Sequence, residues 1–213
     1  AAIKPADLKQ YLGAPVYLRM RTEPKPAVGV VNGLAWTSVG GEVLDVECSV
    51  VPGSGKLELT GNLGDVMKES CQAAVTYIRS RTSELGIDPA FHKNTDIHLH
   101  FPEGAVPKDG PSAGAAICLC VVSALTNRPV RADIAMTGEI TLRGRVLPIG
   151  GIQEKTMAAL RAGIHEVLLP EDNVSDLAEM DPNVRNAVNF TAVSHMDQVL
   201  KKALRPAEEK VAE

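Results

Sequence analysis

Apolar and polar positions recur at two different periods along the chain, and the changes of period divide it into strands and helices. Val, Leu and other apolar residues crowd 15–20 and 27–36, both predicted as strands, with Gly33 interrupting the second. The pair Gly40-Gly41 precedes a further strand at 42–51, and the turn Pro52-Gly53-Ser54-Gly55 leads to a short one at 56–60. Residues 62–85 then switch to helical spacing, with Leu63, Met67, Cys71, Ala74 and Ile78 on one face. Asn62 with Asp65 reads as a capping pair, and Gly86-Ile87 before Pro89 as the stop. Residues 96–101 alternate polar and apolar, so His98 and His100 share one face of a strand.

No charge falls between Ala115 and Leu125, and a helix over 112–125, apolar on nearly all sides, belongs in the middle of the fold. Strands at 134–137 and 144–149 flank a turn at Gly138-Glu139. Gly150-Gly151 opens a helix over 152–162, closed by Gly163. A strand at 166–169, a helix at 172–178, a strand at 188–192 and a helix at 196–204 follow. Residues 1–6 read as a lead-in, 6–11 as one helical turn, and 205–213 as a charged, disordered tail. No internal repeat and no long linker splits the chain. The expectation is one α+β domain over 7–204, with small mixed sheets and packed helices.

Composition narrows the function more than the fold. Among 213 residues only seven are aromatic (Trp 1, Tyr 3, Phe 3), which argues against a stacking platform for single-stranded nucleic acid. The net charge of −4 likewise lacks a basic footprint, so no nucleic-acid partner is expected. Cys48, Cys71, Cys118 and Cys120 form no CxxC pair and read as free thiols in a reducing compartment. The longest uncharged apolar run is too short for a membrane span. A cytosolic protein is the expectation, with the mitochondrial matrix as the alternative. The chain opens on Ala-Ala rather than Met, which suggests a piece of something longer.

One phosphate-binding motif can be tested and fails. Gly55-Lys56 resembles the end of such a loop, but Val50 stands where the first glycine is needed and Leu57 where Ser or Thr is. The stretch that carries chemistry is instead Pro107-Lys108-Asp109-Gly110-Pro111-Ser112-Ala113-Gly114, a stiff turn with a serine at the mouth of the buried helix. Backbone N–H groups there have no helical acceptor and are able to hold an oxyanion, although Ser112 would also serve as a plain N-cap.

A nucleophilic serine needs a base. His98 and His100 lie just upstream. They have no third partner in evidence for a metal, so no metal is expected and bracing or lining a site is the simpler role. Lys155 is the other candidate. On a helical wheel Ile152, Ala158, Ala159 and Ala162 all fall within about 60° of it. Either its stem packs while its head reaches water, or the amine is buried and its pKa lowered, as a lysine base requires.

Several segments together resemble the proteolytic domain of the ATP-dependent Lon serine protease family. They are PKDGPSAG at 107–114, MTGEITLRG at 136–144, LPIGGIQEK at 147–155, GLAWTSVGGEVL at 33–44 and PGSGKLELTGNLGDVMKES at 52–70. The resemblance runs in order from about Asp7 to Leu204 and makes 7–204 a domain of that type.

It implies a Ser–Lys dyad, with Ser112 as nucleophile and Lys155 as base, and Thr137 beside the amine. It also places Asp109, His98 and His100 near the site, with less definite roles; Asp109 would pair with Lys155 in a resting state. Trp36 would form a wall of the peptide groove, with core packing as the alternative. The substrates implied are unfolded polypeptides, and the assembly a homohexameric ring. The chain itself needs no cofactor, because ATP and Mg would bind a AAA+ ATPase module that these residues do not include. Two rivals use the same residues: a proteolytically silent ring-forming or binding module, and an amidase or esterase of non-protein substrates.

Overall fold

The structure, a computed structural model, describes residue 4 and residues 7–13, 25–37 and 40–206. The strand expected at 15–20, most of the lead-in and residues 207–213 of the tail lie outside these described residues. After a short helix α1 (Leu8–Leu12), strands β1 (Val30–Thr37) and β2 (Gly40–Pro52) form an antiparallel hairpin, paired from Thr37↔Gly40 to Val30↔Glu47. Next come β3 (Leu57–Thr60), α2 (Asp65–Ser80), the single turns α3 (Thr82–Leu85) and α4 (Phe91–Asn94), and β4 (Thr95–His100). The long helix expected at 62–85 therefore breaks at Arg81, whose φ of −124° leaves the helical range.

The central helix α5 (Gly114–Thr126) leads to β5 (Ile134–Met136), and β6 (Glu139–Ile140) pairs with β7 (Val146–Leu147) as a separate ribbon. Helix α6 (Ile152–Arg161), β8 (Glu166–Pro170) and a 3-10 segment (Glu171–Ala178) follow. The chain then forms α7 (Pro182–Ala187), β9 (Asn189–Val193) and α8 (Met196–Ala203). The sequence pattern gave no sign of α7, which is one short turn of helix with no buried residue to set up a period. Arg205, read as part of the loose tail, is tied down: its N–H donates to the Pro129 carbonyl and its own carbonyl accepts from Arg128 Nε.

The fold is mixed α/β. The expected small sheets merge into one seven-stranded sheet in the order β3-β4-β2-β1-β5-β8-β9, and among the described residues the β6–β7 ribbon alone stands apart. Pairing is parallel from β1 through β5 and β8 to β9, and antiparallel at β1–β2 and β2–β4. Side chains alternate between faces along a strand, so Val31 and Leu34 of β1 serve different cores. Val31, with Leu44 and Val46 of β2, joins α5, α2 and α8 in the larger core. Leu34, with Val43, packs on Ala159 of α6 on the other face. Every residue of α5 from Gly114 to Ala124 is buried, as its lack of a polar face predicts. Helix and sheet thus leave one open seam, where the end of the β1–β2 hairpin, the start of α5 and the start of α6 meet.

Candidate active site

Ser112 is carried on a turn, not on a helix. The N-cap of α5 is Ala113, and no side chain caps it, so the expectation that Ser112 occupies or caps the helix start is corrected. Its hydroxyl is consequently not spent on capping. The turn is gripped instead by the segment around Gly138: Gly138 N–H donates to the Ser112 carbonyl at 2.8 Å, Thr137 Oγ1 donates to it at 3.2 Å, and Ala115 N–H donates to the Gly138 carbonyl. Among the described residues, the Ser112 and Ala113 N–H groups donate to no protein acceptor. They sit at the positive end of a 13-residue helix, where an anion is favoured.

Lys155 comes from the opposite side of the seam. Gly151, the left-handed N-cap of α6 (φ 75°), turns the chain into the helix, and its Cα lies against Trp36, where an added Cβ would meet the Trp36 Cβ and Cγ at 3.0 Å. Ile152, Ala158 and Ala159 are buried with Lys155, which is 2% exposed, so the face read from the wheel is the packed face. Helix α6 docks on β2 backbone to backbone. A Cβ on Gly41 would stand 2.0 Å from the Glu154 carbonyl oxygen, and Arg161 Nη2 donates to the Gly41 carbonyl at 2.6 Å.

Among the described residues the amine has one hydrogen-bond partner. Lys155 Nζ donates to Thr137 Oγ1 at 3.1 Å, and Thr137 is itself 1% exposed. One buried hydroxyl therefore accepts from the Lys155 amine and donates to the Ser112 carbonyl, joining the two sides of the seam. Burial lowers the Lys155 pKa from 10.5 to about 8, against a smaller opposing pull from the Glu154 carboxylate.

Asp109 does not pair with Lys155. Its Oδ1 accepts from the N–H groups of Met67 (3.0 Å) and Gly110 (2.9 Å), which turns the carboxylate onto the start of α2. Asp109 nonetheless lines the cleft beside Ser112, whereas His98 and His100 do not. Both rings hydrogen-bond Thr60 Oγ1, at 2.9 and 2.7 Å, on an outer face of the sheet. Their strand β4 pairs with Ser49 and Glu47 of β2, which lie six or more residues from Gly41, or roughly 20 Å along an extended strand. Among the described residues no group of three acidic, His or Cys side chains is placed to hold a metal ion.

Between the two sides lies a cleft of about 740 Å³, lined by Trp36, Leu44, Met67, Pro111, Ser112 and Lys155 among others. Its size and largely apolar lining suit a ligand site. Trp36 is 59% exposed and lines the cleft, so it does not pack in the core. Past Gly33, β1 has no strand on its β5 side among the described residues, so its Ala35–Trp36 stretch presents an edge to the cleft. Sequence reasoning missed the Gly41–Arg161 clamp that seats α6. The Gly40-Gly41 pair was its one visible trace, since nothing marks Arg161 before the fold is known.

Comparison with known proteins adds a family. Residues 2–206 match the Lon protease (S16) C-terminal proteolytic domain. The chain is 57% identical over 203 residues to a Lon protease of Heliobacterium modesticaldum, covering 95% of this chain and 25% of that protein. It is 58% identical over 197 residues to a Lon protease of Brevibacillus choshinensis (92% and 25%). It is 54% identical over 198 residues to Lon protease 1 of Bacillus subtilis (93% and 26%). The chain thus spans about a quarter of the length of the curated relatives it matches.

Proposed function

The chain belongs to the Lon protease C-terminal proteolytic domain family, and on that premise we propose that it is a serine endopeptidase in which Ser112 attacks and Lys155 is the base. The observation that carries this reading is the buried lysine, its pKa lowered to about 8, hydrogen-bonded through Thr137 to the Ser112 backbone in one cleft. A lysine base must be neutral to accept a proton, and a pKa near the working pH gives it that form without making it too weak. Thr137 anchors the amine, and Nζ swings from Thr137 to Ser112 Oγ when substrate fills the cleft, since catalytic hydrogen bonds often tighten only in the complex.

The steps follow from these atoms. Nζ takes the Oγ proton as Oγ attacks the peptide carbonyl, and the Ser112 and Ala113 N–H groups receive the oxyanion. Each such donor is worth about 10²–10³ in rate. The C–N bond breaks as Nζ returns the proton to the leaving amine, and water then hydrolyses the acyl-enzyme by the same route. An extended substrate pairs with the free edge of β1 at Ala35–Trp36 and rests on Trp36, which reads backbone more than side chains and suits unfolded polypeptides. The remaining features belong to the whole protein: a ring of six copies, coupling to a AAA+ ATPase that feeds unfolded chain to the cleft, and a cytosolic setting.

The test is cleavage of an unstructured fluorogenic peptide by the 213-residue chain without ATP, beside Ser112→Ala and Lys155→Met. Each variant is expected to lose on the order of 10³-fold or more, with the double variant no worse than either single one, because the two groups act as a unit. Cleavage that survives either substitution removes the dyad. Absence of cleavage in the parent at every concentration favours the silent-module reading.

A further inference from the structure

We propose that Asp109 is a positioning residue that clasps the Ser112 turn to the amino end of α2, in place of an N-cap that α2 lacks. The inference rests on the Ser112–Lys155 reading above. Helix α2 begins after Gly64, which has no side chain and makes no capping bond. The amide three residues into such a helix is the one an N-cap side chain ordinarily satisfies. Here that amide belongs to Met67, and Asp109 Oδ1, from 42 residues away, accepts from it at 3.0 Å.

The same oxygen accepts from Gly110 N–H at 2.9 Å, so one atom joins the third residue of α2 to a residue two before Ser112. Backbone bonds run alongside: Gly64 N–H donates to the Lys108 carbonyl at 2.8 Å, and Lys108 N–H donates to the Asn62 carbonyl at 3.0 Å.

Gly64 shows that the space is fitted to the carboxylate. Its φ of −71° is ordinary for any residue, so the backbone does not require glycine. A Cβ there would lie 2.3 to 2.6 Å from the three carboxylate atoms of Asp109. The Asp109 carboxylate occupies the place where an N-cap side chain of residue 64 would be. Its negative charge also suits the positive helix end. Helix α2 is in turn fixed by Met67, Cys71, Ala74 and Ile78 in the larger core. The clasp therefore passes the rigidity of a packed helix to the upstream end of the serine turn, while Gly138 and Thr137 hold its downstream end at the Ser112 carbonyl.

The experiment is a double-mutant cycle on the 213-residue chain: Asp109→Ala, Gly64→Ala and both together, with Asp109→Asn as the conservative variant. Peptide-cleavage kinetics across pH and urea unfolding are both measured. Asp109→Ala is expected to lower kcat about 10- to 100-fold, the effect of a small misplacement of a reacting group, with KM little changed and the midpoint of the pH profile unmoved. Asp109→Asn should recover most of the loss, because Asn caps as well as Asp. Gly64→Ala alone should reproduce the loss by displacing the carboxylate, and should cost nothing more once Asp109→Ala has vacated the space.

Additive losses, an Asn variant no better than Ala, or a shifted pH midpoint would each overturn the clasp, the last by showing that Asp109 acts on Lys155 through charge. Should Ser112→Ala keep its cleavage, the dyad fails separately, and the clasp is decided by whether Gly64 and Asp109 are coupled in unfolding.

Discussion

The two sides of the cleft deliver their reactive groups by opposite means. Lys155 arrives on a regular helix whose seat is apolar packing and a direct backbone approach at Gly41. Ser112 arrives on an irregular turn, half-buried and held by hydrogen bonds that Asp109 accepts and that Gly138 and Thr137 donate. The difference follows from what each group must do. A lysine becomes a base near neutral pH only when its charged form is desolvated, so it has to sit on an element packed tightly enough to exclude water. A nucleophile has to meet an incoming chain, so it belongs on a segment that stays open to solvent while its backbone is pinned. Thr137, buried between them, is bonded to both sides.

The comparison is broken most severely on the lysine side. Gly41→Ala would place a methyl against the Glu154 carbonyl and the Lys155 amide, backbone atoms that no rotamer change can move aside. Helix α6 has to shift off β2, taking Lys155 with it. A fall in kcat of about 10²-fold is expected, the scale for a displacement near 1 Å, while circular dichroism stays that of a folded chain. If the hairpin yields in place of the helix, stability drops and kcat does not, and α6 is then not seated by this contact.

Varying pH sharpens the same side. With Lys155 at about 8 in the folded chain, kcat/KM should rise roughly tenfold between pH 7 and pH 9 as the amine loses its proton. Stability should follow with a definite sign. Below pH 8 both folded and unfolded chains hold the proton, so the cost of burying the charge is constant and present in full. Between about 8 and 10.5 the unfolded chain holds more protons than the folded one, so stability rises with pH. Relative to Lys155→Met, which lacks this titration, the parent should gain roughly 3 kcal/mol across that window, read from urea unfolding of both. A flat difference between the two would mean that the amine reaches water.

The two sides were also legible in the sequence to different degrees, for the same physical reason. Periodicity reports packing, so α5, α6 and the packed face of Lys155 could be read from residue spacing alone. A turn held by hydrogen bonds from distant segments has no period. The spacing suggested that Ser112 would cap a helix and that Asn62 would cap α2, and the resemblance set Asp109 against Lys155. In the structure Ala113 stands at the cap of α5, and Asp109 supplies what α2 lacks. Motif resemblance alone selected Thr137, and it was the resemblance that joined Ser112 and Lys155 as a pair. The merging of the small sheets into one seven-stranded sheet depends on pairings between segments far apart in the chain, such as β1 with β5, which local pattern does not encode.

His98 and His100 give the smallest effect and the cleanest control. Histidine is the usual base for a serine nucleophile, which makes both credible for a serine 12 to 14 positions downstream. The sheet removes them. Alternation along β4 sends Ile97 and Leu99 into the larger core and leaves both imidazoles on the other face, bonded to Thr60, with His98 also beside Glu58. Thr60 Oγ1 has one proton, so it donates to at most one ring and accepts from the other; the pair braces β3 against β4 and stays remote from the chemistry. His98→Ala and His100→Ala, alone or together, should leave kcat/KM within about twofold and cost no more than about 1 kcal/mol in urea unfolding, the usual worth of a partly exposed hydrogen bond. A large loss of cleavage with stability intact would return a histidine to the role of base, and would then require the buried amine of Lys155 to have some other purpose.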